Sequence, residues 1–315
     1  MNNQKKEKDW IGKIFIVLLG IILAVYSLSI IITLAWGFLT SLKSKTDFAT
    51  WDNIIGLPSL EWSREEFLQF KNYTDVFNDF IIPREKSFFV GESIVEHESE
   101  SGVFAMLLNT LIYAGIGAFL HAFIPAVMGY MCAKYKNSVA AFIYALNLIV
   151  MIVPIVGTQS STISILRALN LYDNYLGMVC LKFTFMGMYF IVFHAYFEGL
   201  PDSYAEAAEV DGASQLRILT SIILPLTVKM IATVFLIQFV AAWNDYQTAL
   251  LYMPTKPTLA FGVHYLCIGD GSKGDFGFVP AQTAACMLLA IPILVAFIIF
   301  KDKLMGNVTM GGIKG

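Results

Sequence analysis

Three acids, Glu206, Glu209 and Asp211, stand within six residues of one another in the stretch SYAEAAEVDGASQLRILTSIILPL (Ser203–Leu226). A glycine, Gly212, follows them directly, and Pro225 lies further on. Acids so placed give a short helix a negative face, suited to ion pairs with a basic surface. A second set of polar residues interrupts the apolar blocks: Asn109, Asn147, Lys182, Asn244 and Asp245, with Trp243 beside the last two. Polar groups in lipid are costly, so such residues should face the protein interior or water.

The remaining chemistry is sparse. No Ser/His/Asp or Cys/His set stands at a recognisable spacing, and the histidines, His97, His121, His194 and His264, are scattered. No GxxxxGK[ST] phosphate loop is present, so a nucleotide, if used, must bind on another chain. Cys132, Cys180, Cys267 and Cys286 lack metal-ligand spacing and read as small buried thiols. The expectation is a non-catalytic chain with no metal and no cofactor of its own.

The elements that must position these residues are membrane spans. The chain has 315 residues, 57% hydrophobic and 14% charged, against nearly half and a quarter in a soluble domain. Six segments are apolar over about 20 residues: Ile14–Leu39, Val103–Cys132, Val139–Gly157, Tyr175–Tyr196, Ile222–Trp243 and Pro280–Phe300. The first is too long for a signal-peptide core and no A-x-A site follows, so it reads as a retained span. Residues 1–13 and 301–315 flank the spans, and 103–300 holds the other five.

Lysines set the orientation. Lys5, Lys6, Lys8 and Lys13, Lys134 and Lys136, and Lys301, Lys303 and Lys314 all fall on one side of a six-span chain, the cytoplasmic side. Lys43 and Lys45 weaken that contrast without reversing it. Residues 40–102, with 12 acids and 6 bases, then lie outside. There Ser63 and Glu66 stand in capping-box spacing, and Phe67, Phe70, Tyr73 and Phe77 form a helical stripe. That stripe fits a small amphipathic helix packed on the span ends, or a surface for an extracytoplasmic partner. No basic stripe suggests nucleic acid.

The acidic stretch, at 203–226, falls inside. Pro201 suits a first helical turn, Asp202 or Ser203 can cap, and Gly212 can take positive φ and end the helix. Asp211 or Ser214 can start the next helix. A helix lying on anionic lipid would be rich in lysine and arginine. This one is acidic, which favours docking into a basic protein groove.

Here the residues carry a resemblance. Glu206-Ala207-Ala208, three residues, Gly212, nine residues and Ile222-Ile223-Leu224-Pro225 resemble the EAA motif of ABC importer permeases, E-A-A-x3-G-x9-I-x-L-P. "DGAS" is typical of the sugar branch. AAWNDY (Ala241–Tyr246) and TLAFGVHYL (Thr258–Leu266) resemble later segments of the same permeases. The tail GGIKG (Gly311–Gly315) is similar to that of MalG-like subunits of maltose-type importers. The resemblance covers most of Leu107–Gly315. Lys229 departs from the family, which often has a second proline there.

The resemblance implies an all-α integral membrane protein of the type I ABC importer permease fold, with six transmembrane helices and a cytoplasmic coupling helix between spans four and five. It implies a carbohydrate importer subunit in the bacterial-type plasma (inner) membrane. Its partners would be a second permease subunit in a heterodimer, two cytoplasmic ATPase chains that carry ATP and Mg, and an extracytoplasmic solute-binding protein. Glu206, Ala207, Ala208, Asp211, Gly212 and Pro225 would couple to the ATPase, and Gly312, Lys314 and Gly315 of the tail would touch it. Asn109, Trp243, Asn244 and Asp245 are the substrate-path candidates. Trp243 could stack on a sugar ring or anchor at the interface, and Lys182 could face the path or snorkel. Import of another solute, such as glycerol phosphate or a polyol, is the alternative within the class. An ion-coupled secondary transporter is the rival outside it, but it should show an inverted repeat and broken spans.

Overall fold

The computed structural model describes residues 2–49, 53–58, 68–90, 93–153, 156–269, 274 and 276–308. In chain order the helices begin with α1 (Asn2–Ser41), α2 (Lys45–Ala49) and α3 (Lys71–Asp79). After the hairpin β1 (Ile81–Val90) and β2 (Ser93–Gly102) come α4 (Val103–Lys134), α5 (Ser138–Ile152), α6 (Gln159–Ala168), α7 (Tyr175–Lys182) and α8 (Met188–Glu198). Then follow α9 (Ser203–Val210), α10 (Gln215–Ile218), α11 (Leu224–Trp243), α12 (Tyr246–Tyr252), α13 (Leu259–Cys267) and α14 (Val279–Val308). The chain divides into two packed units, residues 1–79 with 266–288, and residues 80–265 with 289–315.

In the first unit, residues 14–35 of α1 are apolar around the helix and exposed, as a lipid-facing span must be. Its C-terminal carbonyls need partners where the helix stops. Asn72 supplies two: its Nδ2 donates to the carbonyls of Ser41 and Lys43, each at 2.8 Å. Tyr73 and Ser41 share a hydroxyl hydrogen bond of 2.6 Å. The Lys43 side chain is fully buried and donates to the carbonyls of Asn53 (2.5 Å) and Ile54 (3.3 Å). Burial pushes its pKa down.

The amphipathic helix expected outside the spans is α3, with a different inner face. Asn72 and Val76 are buried, whereas Phe70 and Phe77 are exposed. The need to satisfy the carbonyls of 41 and 43 decides the orientation over the aromatic stripe. Ser63, Glu66 and Phe67 lie outside the described residues.

In the second unit, an antiparallel hairpin leads into α4, in register from Ile81↔Gly102 to Val90↔Ser93. The hairpin is a local departure within an otherwise helical fold. Helix α4 packs chiefly against α8 and α11. It does so through small residues at steps of four, Ala114, Ala118, Ala122 and Ala126, all buried. Small side chains let helix backbones approach in a membrane, where hydrophobic burial supplies little drive. At Gly129 the approach is closest: a Cβ there would stand 2.9 Å from Phe193 Cβ and 3.0 Å from the His194 nitrogen. Tyr130 meets Phe197 edge to face, with ring centres 5.3 Å apart.

Four helical stretches are long and apolar enough to cross a membrane: Gly12–Ser41, Val103–Lys134, Gln215–Trp243 and Val279–Phe300. The other two expected spans differ. Val139–Gly157 becomes the 15-residue helix α5. Tyr175–Tyr196 is broken between α7 and α8, with Gly187 at φ +132°. A break at membrane depth exposes backbone groups that lipid cannot satisfy. The buried Asn147 of α5 meets that need, its Oδ1 accepting from the Gly187 N–H at 2.6 Å. Asn147 is therefore engaged in the fold rather than free along a path. Of the thiols expected to be buried, Cys132 is buried and Cys180 is exposed, while Cys267 and Cys286 are half-buried with sulfurs 4.0 Å apart.

Candidate functional site

The acidic stretch forms a helix, a tight turn and a second helix. Helix α9 ends in a Schellman motif: the Gly212 N–H donates to Glu209 O and the Ala213 N–H to Ala208 O, both at 2.9 Å. Gly212 takes φ +78°, and a Cβ there would meet open space. The glycine is demanded by backbone conformation and not by crowding. Ser214 then caps α10, its Oγ accepting from the Arg217 N–H at 3.4 Å.

Asp202 stands at the N-cap position of α9 but makes no side-chain cap bond. Its carboxylate instead accepts from Lys134 Nζ, at the C-terminal end of α4, at 2.6 Å. Lys134 also donates to Leu200 O at 2.6 Å. The ammonium beside it holds the Asp202 pKa below its ordinary value. A second tie runs from the next residue: Tyr135 OH donates to Gln215 Oε1 (2.7 Å), and Gln215 Nε2 donates to Glu209 Oε1 (2.6 Å). Both helices of the stretch are thus fastened to the end of α4.

What faces outward is mixed in character. Glu206, Ala207 and Asp211 are exposed, and so are the apolar Tyr204, Val210 and Leu216. Ala208 is half-buried and packs with Ala205 and Ala213 onto the core built by Tyr130, Phe197 and Ile218. Pro225 stands in the first turn of α11, directly after a π-helical turn, Leu219–Ile223, in a continuous helical run from Gln215. There the Leu224 N–H reaches back to Leu219 O. A proline ring clashes with the carbonyl four residues back, here Ser221, and the wider turn makes room for it. Gly312, Lys314 and Gly315 lie outside the described residues.

The substrate-path candidates separate. Asn109 is engaged by the fold, donating to Pro257 O (3.0 Å) and accepting from Tyr175 OH (2.5 Å). Trp243 is buried, and its Nε1 donates to Leu289 O at 3.0 Å, so its ring offers no stacking platform. Asn244 is exposed and donates to Val240 O. Asp245 alone joins a polar group. Its oxygens accept from Tyr113 OH (2.5 Å) and the Thr248 N–H (3.0 Å), and Lys182 Nζ stands 3.6 Å away. A cavity of about 180 Å³ adjoins them, lined also by Gly117, His121 and Gln238. Lys182 turns inward to this cavity instead of snorkelling. Gln238 and Tyr113 were missed by the sequence reading. Gln238 lies inside the apolar run of α11, and a polar side chain within a span is the signal that could have found it.

Residues 125–305, more than half of the chain, match the family of binding-protein-dependent transport system inner membrane components. The chain belongs to that family. The matched span begins in α4 and takes in the acidic stretch and the polar cavity's α7 and α11 walls. The permease is similar to the sulfoquinovosyl glycerol transport system permease SmoH of Agrobacterium fabrum, 26% identical over 69% of this chain and 75% of that protein. It is similar to the arabinooligosaccharides transport system permease AraQ of Bacillus subtilis, 25% identical over 79% and 80%. It is also similar to the maltose/maltodextrin permease MalG of Vibrio parahaemolyticus, 29% identical over 68% and 73%. Its fold is shared with a bacterial ABC transporter involved in import of the acidic polysaccharide alginate, at a TM-score of 0.68, 20% identity and 92% and 96% coverage. The permease is a multi-pass membrane protein and a transport component, as family and apolar helices together require.

Proposed function

We propose that this permease is one subunit of an ATP-driven, binding-protein-dependent importer of a sugar or oligosaccharide, and that Ser203–Leu226 is its coupling element. The observation that carries this is the fastening of an exposed acidic helix to the end of α4 through Lys134–Asp202 and Tyr135–Gln215–Glu209. A helix held this way, with Glu206 pointing to solvent, passes a push from a bound protein into the packed spans. Glu206 pairs with a basic group in a cleft of the ATPase. Ala207 and Ala208 allow close approach, Gly212 makes the turn and Asp211 adds negative charge. Pro225 directs the helix onward.

The sugar class is supported by the names of the relatives, which transport saccharides neutral and acidic. ATP and Mg act on two separate ATPase chains. A second, different permease subunit and an extracytoplasmic binding protein complete the assembly. The termini and the acidic stretch lie on the cytoplasmic side, and the tail residues Gly312, Lys314 and Gly315 also touch the ATPase. Glu206→Lys tests the coupling role. It should abolish ATPase co-purification, or leave hydrolysis without uptake, and normal uptake by the variant would overturn the assignment.

A further inference from the structure

The cavity beside Asp245 has an uneven balance of hydrogen-bonding capacity. The carboxylate is already supplied, since each oxygen accepts one strong hydrogen bond from Tyr113 or Thr248. The Lys182 ammonium is not. Among the described residues its one polar partner is Asp245 at 3.6 Å, longer than a hydrogen bond, with the Tyr113 ring 5.1 Å from Nζ. An ammonium has three donors and no acceptor. His121 and Gln238 line the same cavity and make no hydrogen bond to the protein among the described residues. These groups sit among membrane-crossing helices, where unused polar capacity marks a path or a ligand site.

The vacant capacity is mostly of the donor kind: the ammonium N–H groups, the amide NH₂ of Gln238 and an imidazole N–H. The ligand that matches is an oxygen acceptor, and a charged one gains most from an ammonium. The volume, about 180 Å³, is below the roughly 300–1000 Å³ of a site enclosing a small molecule. It suits one substituent of a passing ligand and not a whole oligosaccharide. Gly117, without a side chain, opens the wall: Lys182 Cγ lies 3.7 Å from where its Cβ would be.

We propose that Lys182, His121 and Gln238 form a checkpoint on the translocation path that takes the carboxylate of an acidic saccharide, a uronate, as it passes. The inference rests on the sugar-importer reading above and adds the substrate class.

The test uses the full assembly, with ATPase and binding protein, in proteoliposomes, and compares uptake of an oligogalacturonate with that of a maltooligosaccharide of equal length. The unaltered assembly should import the acidic probe in preference. Lys182→Gln should lower its uptake at saturating concentration about tenfold or more, the loss of one charge-assisted contact, and Lys182→Arg should restore most of it. The double variant Lys182→Gln/Asp245→Asn removes the ion pair without stranding a charge, and asparagine still caps α12. A merely structural pair predicts that the double variant recovers uptake; the checkpoint predicts that it does not. If Lys182→Gln fails to assemble, Gln238→Leu, which leaves the ion pair intact, should lower acidic uptake about threefold or more. Import of the neutral probe alone, an equal loss for both probes, or recovery in the double variant would overturn the inference and leave the importer standing. Uptake of neither saccharide would overturn the sugar reading and the inference with it.

Discussion

Lys134 and Asp202, 68 residues apart in sequence, meet at 2.6 Å where the end of α4 touches the start of α9. The lysine side chain is largely covered and the aspartate largely open, at 16% and 65% exposure. An exposed ion pair adds little to stability, so its importance lies in geometry. It fixes where the proposed coupling element sits against the end of α4.

Lys134→Ala should therefore leave folding and ATPase binding nearly intact while lowering sugar transported per ATP hydrolysed several-fold. The exchange Lys134→Asp/Asp202→Lys should restore part of it. The measurement is uptake and phosphate release in the same vesicles. The folded pKa of Asp202 is depressed, so its contribution is present above the ordinary carboxylate value. It is lost only as pH falls through the lower folded value. Transport should then show no inflection from this pair between about pH 5.5 and 8.

Gly212 is a second point of control. At φ +78° a β-branched side chain is strained by about 1–2 kcal/mol. Gly212→Val should loosen the turn and weaken ATPase co-purification, whereas Gly212→Asn should be tolerated, since asparagine accepts this conformation. Equal binding by both variants would remove the turn from the coupling account.

Asn72 is a stability residue. Asn72→Leu leaves the carbonyls of Ser41 and Lys43 without their partner in a buried setting, at a cost of about 1–3 kcal/mol. Limited proteolysis should show faster cleavage around residues 41–79 in the variant, with ATPase binding unchanged.

Gly129→Leu places a side chain where Phe193 Cβ already stands 2.9 Å from the Cβ position. Overpacking of this kind costs about 1–3 kcal/mol or more. The detergent-solubilised variant should unfold at a lower temperature, and Gly129→Ala should fall between it and the unaltered chain.

Parts of this molecule were legible from the sequence because their rules are local. The helix, turn and helix around Gly212 follow from residues within a dozen positions of each other. So did the long spans, whose apolar runs need no tertiary context. The break at Gly187 was hidden, because hydropathy is as high through it as around it, and the partner that makes it tolerable, Asn147, is 40 residues away. The polar cavity was hidden for the same reason. Lys182 read as either a path residue or a snorkelling one, and the neighbours that decide it, Asp245, Tyr113 and His121, are all distant in sequence. Asn109 and Trp243 had the right residue types for a path, but backbone carbonyls claimed them.

The π-helical turn at Leu219–Ile223 holds one residue more than an α-turn would between α10 and α11. That residue is slack in a screw. Drawing it into α geometry would rotate all of α11 beyond it by about 100°, one residue's share of a 3.6-residue turn. Gln238 rides on that thread, so a small pull at the surface would swing one wall of the cavity far along the same helix.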